Sequence, residues 1–126
     1  MRHPSRNGNQ RIGNGKIMII EKYIDAVSGE ELKRCINYNR NGVIEREYYY
    51  LNDKLHREDG PASIFYYQDG KVRRKIYWVN NKRHRKNGPT IISYNKNGSI
   101  KEELYYLNDI ECDILQEMVI RGLETK

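Results

Sequence analysis

From Ile36 onward, apolar and polar positions alternate in short runs that come in pairs. The first run of each pair carries Ile36 and Tyr38, then Ile64 and Tyr66, then Ile92 and Tyr94. The second carries Ile44, Tyr48 and Tyr50, then Val72, Ile76 and Trp78, then Ile100, Leu104 and Tyr106. Steps of two and four along β-branched and aromatic residues predict strands with one buried face. Between the runs lie Arg40-Asn41-Gly42, Gln68-Asp69-Gly70 and Lys96-Asn97-Gly98. Asn-Gly or Asp-Gly in such a place predicts a β-hairpin. A two-residue loop at Asp69-Gly70 would put Tyr66 and Val72 on opposite sides. A three-residue loop pairs Tyr66 with Val72 and Ile64 with Arg74, and aligns the apolar face in all three places. The expected turn is therefore type I, closed by a glycine at positive φ in a G1 bulge. The opposite parity, Glu45/Glu47, Arg73/Lys75 and Lys101/Glu103, is then the exposed face. It turns apolar at Tyr49/Leu51, Tyr77/Val79 and Tyr105/Leu107, which are expected to pack under the connecting loops.

The pairs belong to a longer repetition. YYLNDKLHREDGPASIFYYQDG (49–70) returns without a gap as YWVNNKRHRKNGPTIISYNKNG (77–98). A third copy starts at Tyr105 and stops at Cys112-Asp113, and NGKIMIIEKYID (14–25) resembles NGVIEREYYYLN (41–52). The first link, AVSGEELKR (26–34), is shorter and lacks both His-Arg and Gly-Pro. Residues 113–122, DILQEMVIRG, place Ile114, Leu115, Met118 and Val119 on one helical face, with Asp113 as N-cap and Gly122 as stop. The expected organisation is a basic flexible tail (1–13), a β-hairpin repeat array (14–112) of about seven antiparallel strands, and a short capping helix with its tail (113–126).

Composition narrows the function classes. Hydrophobic residues make up 37% and charged residues 32% of the 126, and the mean hydropathy is −0.95. Such a chain suits a thin structure better than a deep core. Eleven tyrosines against one phenylalanine fit half-buried surfaces, where the ring packs and the hydroxyl stays wet. No apolar run approaches the ~18 residues of a membrane span, and no signal peptide or CxxC pattern is present. A soluble, reduced, cytoplasmic protein is expected. The net charge of +6 favours an anionic partner or serves solubility alone.

The stretch LHREDGPASI (55–64) holds the side chains most suggestive of chemistry. His56 and His84 occupy equivalent positions, as do Arg57 and Arg85, Gly60 and Gly88, and Pro61 and Pro89. Glu58 and Asp59, however, become Lys86 and Asn87. A carboxylate-dependent site would exist in one copy only, so no metal, cofactor or catalytic residue is expected. The structural reading makes these residues a corner between hairpins, with His-Arg satisfying backbone carbonyls freed there. A second candidate is the acid-free run from Lys71 to Lys86. Parity places Arg74 and Trp78 on the buried face and leaves Lys71, Arg73, Lys75 and Tyr77, extended by Lys82, Arg83 and Arg85, as a binding surface. Cations interleaved with aromatics suit phosphates and stacked bases. Cys35 and Cys112 are expected to remain unpaired. No phosphate loop, nucleophile elbow or Ser/His/Asp set is visible, so the chain is not expected to be an enzyme.

Tandem Asn-Gly hairpins carrying Tyr-Tyr-x-Asn and Lys-x-His-Arg-x-x-Gly-Pro resemble MORN-type repeats. The likeness is greatest to the MORN-variant arrays related to the YwqK antitoxin family, and to the similar "HREDGPA" repeats of phages and giant viruses. The resemblance covers about residues 14–112. It implies an elongated antiparallel β-meander with no active site. It also implies protein–protein contact, scaffolding, toxin neutralisation or, in some members, contact with membrane lipid. The unit here is longer than a standard MORN unit and thinner in glycine. The expected function is non-enzymatic binding of a protein partner, as a phage or viral host-interaction protein or an antitoxin-like inhibitor, by a monomer or an edge-paired dimer. A basic nucleic-acid-binding sheet is the alternative.

Overall fold

A computed structural model describes residues 9–11 and 15–112. Of the expected flexible tail only residues 9–11 are described, and they form a strand paired to Ile17–Ile19, while the expected C-terminal helix lies entirely outside the described residues. Within them the protein is all-β. Its strands are β1 (Asn9–Arg11), β2 (Ile17–Ile24), β3 (Glu31–Tyr38), β4 (Ile44–Leu51), β5 (Lys54–Leu55), β6 (Ser63–Tyr66), β7 (Val72–Ile76), β8 (Trp78–Val79), β9 (Lys82–Arg83), β10 (Ile91–Tyr94), β11 (Ile100–Leu107) and β12 (Ile110–Cys112). Ten of these form one antiparallel sheet in the order β1-β2-β3-β4-β6-β7-β10-β11-β12, with β5 paired to β4, while β8 and β9 pair with each other. From β2 onward, neighbours on the main path are joined by a turn or by a segment that itself carries β5 or the β8–β9 hairpin, as antiparallel pairing allows.

Two kinds of turn build this sheet. At one end, Tyr67 N–H bonds Lys71 O and Gly70 N–H bonds Tyr67 O, which closes a three-residue loop at Gln68-Asp69-Gly70. Asn39/Val43 with Gly42, and Asn95/Ser99 with Gly98, do the same. Gly70 has φ +89, a conformation open to glycine at little cost. The Asn41, Asp69 and Asn97 positions each sit three residues before a strand. Asp69 Oδ1 accepts from Lys71 N–H and Asn97 Oδ1 from Ser99 N–H, whereas Asn41 instead donates its own N–H to Asn39 Oδ1. At the other end are two-residue tips: Asn52-Asp53, Asn80-Asn81 and Asn108-Asp109, all at positive φ. That is the signature of type I′ turns, and Asn and Asp are the non-glycine residues that tolerate it best.

The parity argument fails one residue beyond the loop. Tyr66 pairs with Val72 as expected, but the next pair is Phe65 with Arg74, so Ile64 lies opposite Lys75 and not Arg74. The same shift separates Tyr38/Ile44 from Asn37/Arg46, and Tyr94/Ile100 from Ser93/Glu102. Glu45, Arg73 and Lys101 are thus extra residues in second bulges, and each inverts the parity of the strand that follows. Cross-strand partners share a face. One face therefore carries Ile36, Glu47, Ile64, Lys75, Ile92 and Glu103 in a row. The other carries Cys35, Tyr48, Ser63, Ile76, Ile91 and Leu104. Tyr48, Ile76 and Leu104 do not share a face with Ile36, Ile64 and Ile92, and Glu47 is buried, not exposed.

The core is small. Leu32, Tyr49 and Ala62 form its centre, with Tyr23, Leu51 and Trp78 packed against it. Tyr23 meets the Tyr49 ring edge-on at 5.0 Å between centroids. Trp78 Nε1 donates to Ser63 Oγ, which satisfies the indole N–H of a half-buried ring.

Candidate functional site

The polar groups of greatest chemical interest lie on the buried face and at the corners. Glu47, 5% exposed, comes from the middle of β4. It accepts hydrogen bonds from Tyr49 Oη (2.6 Å), Tyr66 Oη (2.7 Å) and Arg34 Nε (2.9 Å). Arg34 also reaches Glu21 at 2.6 Å. Burial alone would raise the Glu47 pKa, but the two phenol bonds and the guanidinium outweigh it and hold the carboxyl below its ordinary value. Burial and the Glu47 bond push Tyr49 and Tyr66 well above the ordinary phenol range. The set is a satisfied network whose phenols stay protonated and whose carboxylate stays charged. It offers neither a poised base nor an activated nucleophile.

The corners show what His-Arg-x-x-Gly-Pro does. His56, 5% exposed, follows β5, and its Nδ1 accepts the Asn80 N–H at 3.1 Å. His84 Nδ1 accepts the Asn108 N–H at 2.9 Å. Both histidines thus receive an N–H from the next tip, and His56 Nε2 donates to no carbonyl among the described residues, contrary to expectation. The arginines do donate to carbonyls: Arg57 to Pro61 O and Arg85 to Pro89 O, each at 3.0 Å. Each guanidinium also covers the tyrosine of its own hairpin, Arg57 at 4.0 Å from the Tyr49 centroid and Arg85 at 3.9 Å from that of Tyr77. The glycine follows from this stacking. A Cβ on Gly60 would sit 2.8 Å from Arg57 Cζ, and one on Gly88 2.8 Å from Arg85 Nη1. Pro61 and Pro89 then lead into β6 and β10, with Ala62 and Thr90 supplying the first ladder N–H groups to Ile76 O and Leu104 O.

Among the described residues, the first corner has a feature not found at the second. His56 Nε2 lies 3.5 Å from Glu30 Oε1 and 3.7 Å from Glu58 Oε2, a grouping compact enough for a cation. The Asn80 N–H argues against that use. A ring whose Nδ1 accepts a hydrogen bond carries its proton on Nε2. The nitrogen facing the two carboxylates is then a donor and not a metal ligand. This Nε2 makes no hydrogen bond among the described residues, and the carboxylates provide its electrostatic complement.

Asp25 and Asp59 complete this corner, and neither was expected from the sequence. Asp25, fully buried, accepts Val27 N–H and Ser28 N–H on Oδ1, and Glu58 N–H and Asp59 N–H on Oδ2. Asp59 accepts from Tyr23 Oη, Ala26 N–H and Arg57 Nε. Burial raises both carboxyls, and their backbone and side-chain donors more than reverse it, so both titrate below the ordinary value. The available sequence signal was local: Asp25 precedes Ala-Val-Ser-Gly, the setting of an Asx turn. Its partners across the chain carry no local mark.

The expected cationic surface is divided. The bulge sends Arg73 over the Phe65 ring at 5.5 Å, on the Tyr48 face, while Lys75 lies 5.5 Å from the Tyr94 ring on the Glu47 face. Arg74 is exposed, not buried, and bonds Ser93 Oγ. Arg83 pairs with Asp109 at 2.6 Å and covers Tyr106, and Arg85 covers Tyr77 at the corner. Lys71 and Lys82 are exposed. The structure therefore does not bring the seven residues together on one face. No family model, no curated protein and no solved structure matches this chain.

Proposed function

We propose that this chain is a MORN-like repeat array acting as a non-enzymatic binding module for a protein partner. The observation that carries the reading is the Tyr48 face. Tyr48, Ile76 and Leu104 line it half-buried, with Phe65 and the cations Arg46, Arg73 and Arg74 beside them. An apolar and aromatic row flanked by arginines has the composition of protein interfaces. Three further features support an array: the 28-residue spacing of the corners, the same imidazole bond at His56 and His84, and the same arginine stack at Arg57 and Arg85. The concrete versions are a phage or viral protein that engages a host factor in the cytoplasm, and an antitoxin-like inhibitor. The Glu47, Arg34, Tyr49 and Tyr66 groups of the buried face are engaged with one another, which suits a scaffold better than a reaction centre.

The test is affinity capture from nuclease-treated extract, with the captured protein then purified and titrated directly. A protein should bind, binding should persist in high salt, and Tyr48→Glu with Arg74→Glu should weaken it at least tenfold. Lys75→Glu, on the other face, should leave it unchanged. A ligand that disappears on nuclease treatment, with affinity falling steeply in salt and lost in Arg73→Glu, would replace this reading with nucleic-acid binding.

A further inference from the structure

Among the described residues, the same docking interface occurs twice, and one half of it is left unfilled at each end of this series. In the first instance the return segment after tip Asn52-Asp53 receives the next tip. Leu55 N–H bonds Asn81 Oδ1 at 2.7 Å, Asn81 N–H bonds Leu55 O at 2.9 Å, and Asn80 N–H bonds His56 Nδ1. In the second, Arg83 N–H bonds Asp109 Oδ1 at 3.1 Å, Asp109 N–H bonds Arg83 O at 2.8 Å, and Asn108 N–H bonds His84 Nδ1. The pattern is antiparallel strand addition, with an Asn or Asp side chain closing the edge.

At the start of the series, tip Asn52-Asp53 has the turn and the acceptor carboxylate but no segment docked on it. The β3–β4 pairing stops at Lys33/Tyr50, so Leu51–Asp53 project past it. Among the described residues, no hydrogen bond reaches the Asn52 N–H, the Asp53 N–H or the Asp53 carboxylate. A groove of about 450 Å³ opens beside them, walled by Lys22, Glu31 and Lys33 on one side and by Tyr50 and Asp53 on the other. At the end of the series the reverse holds. Glu111 lies opposite Tyr106 as Leu55 lies opposite Tyr50 and Arg83 opposite Trp78. Its N–H and C=O therefore point to the outer edge, where Leu55 and Arg83 hold their tips. Among the described residues nothing is bonded there.

We propose that copies of this chain associate head to tail, with Ile110–Cys112 of one copy docking along Leu51–Asp53 of the next. The bonds are Glu111 N–H to Asp53 Oδ1 and Asp53 N–H to Glu111 O. The exposed Glu111 carboxylate enters beside Lys22 and Lys33, a charge pairing that takes the place of the Arg83–Asp109 ion pair of the second internal copy. Cys112 stands where His56 and His84 stand, so the imidazole bond to the tip is missing and the contact is weaker than its internal counterparts. The two halves are different surfaces, so the contact is heterologous and the chain extends without closing unless rotation brings its ends together.

The test is sedimentation equilibrium of the full chain over a range of concentrations, with two substitutions. Asp53→Gly keeps the positive φ and removes the acceptor. Glu111→Pro removes the outward N–H, which the chain's own ladder does not use. Wild type should show masses rising through dimer to larger species. Each variant should weaken association at least tenfold, Asp53→Asn should retain it as Asn81 does, and circular dichroism should show the fold intact in all. Mixing Asp53→Gly with Glu111→Pro leaves one good head and one good tail, so the mixture should form dimers and nothing larger. A wild type that stays monomeric at millimolar concentration, or association that both variants leave unchanged, would overturn the proposal. So would a mixture no more associated than its components.

Discussion

Glu47→Ala is expected to lower the unfolding free energy by about 3 kcal/mol, with a fall in Tm on the order of 10 °C. The cost arises from the groups left behind. Glu47 is the common acceptor for Tyr49, Tyr66 and Arg34. Its removal leaves one buried and one half-buried phenol hydroxyl, and one guanidinium arm, without their acceptor. Breaking a buried pair usually costs ~3–5 kcal/mol. The Arg34 side chain is 30% exposed and keeps Glu21, so the lower end applies. Glu103 occupies the corresponding strand position two repeats later, in the same cross-sheet row, but is exposed. Glu103→Ala should therefore change stability by no more than about 0.5 kcal/mol. Equal effects at the two positions, measured by urea unfolding, would mean that the second bulge does not invert the face.

The second large effect is expected at Asp25. Its carboxylate joins two segments by taking two N–H groups from its own turn and two from Glu58-Asp59. Asp25→Ala orphans all four, and at ~1–3 kcal/mol per buried donor, discounted for those that regain water, a loss of about 3 kcal/mol follows. Asp25→Asn is the sharper experiment. One amide oxygen can serve one pair of donors, but the NH₂ group then faces the other pair, so the isosteric change should still cost about 2 kcal/mol. Asp25, Asp59 and Glu47 all have folded-state pKa values below ordinary. Their contribution is complete above the unfolded carboxylate value near pH 4 and is lost as pH falls through the folded values. The stability deficit of Asp25→Asn relative to wild type should accordingly shrink below about pH 4. A deficit that is constant with pH would show that the carboxylate is not charged in the fold.

Much of the architecture is legible in the chain. The Asn-Gly and Asp-Gly loops, the all-β class and the pairing of Tyr66 with Val72 follow from turn chemistry and alternation, which are local. The second bulge is not legible. Glu45, Arg73 and Lys101 are ordinary strand residues, and nothing at those positions requires positive φ or a glycine. Both parities of the following strand carry apolar residues, Tyr48 and Tyr50 on one side and Tyr49 and Leu51 on the other, so alternation alone could not choose the core face. That one shift accounts for the misplacement of Glu47, of Arg74 and of the expected cationic surface. The corner motif was readable as a corner because its acids vary while His-Arg and Gly-Pro persist. Its bonding was not, because the partner of His56 is an N–H 24 residues away. Gly60 owes its place to Arg57, three residues earlier, and that relation appears only once the guanidinium lies flat on Tyr49.

The account rests on each His-Arg corner being the dock for the next hairpin tip, with the first tip left open. Amide hydrogen exchange, followed residue by residue in dilute solution, tests this most directly. The amides of Asn80 and Asn108, bonded to imidazole Nδ1, should be strongly protected. Those of Asn81 and Asp109, bonded to Leu55 O and Arg83 O, should be protected too. The amides of Asn52 and Asp53, in the same turn conformation but undocked, should exchange at least tenfold faster. Equal exchange at all three tips would contradict the account, because the turns would then protect themselves and the corners would dock nothing.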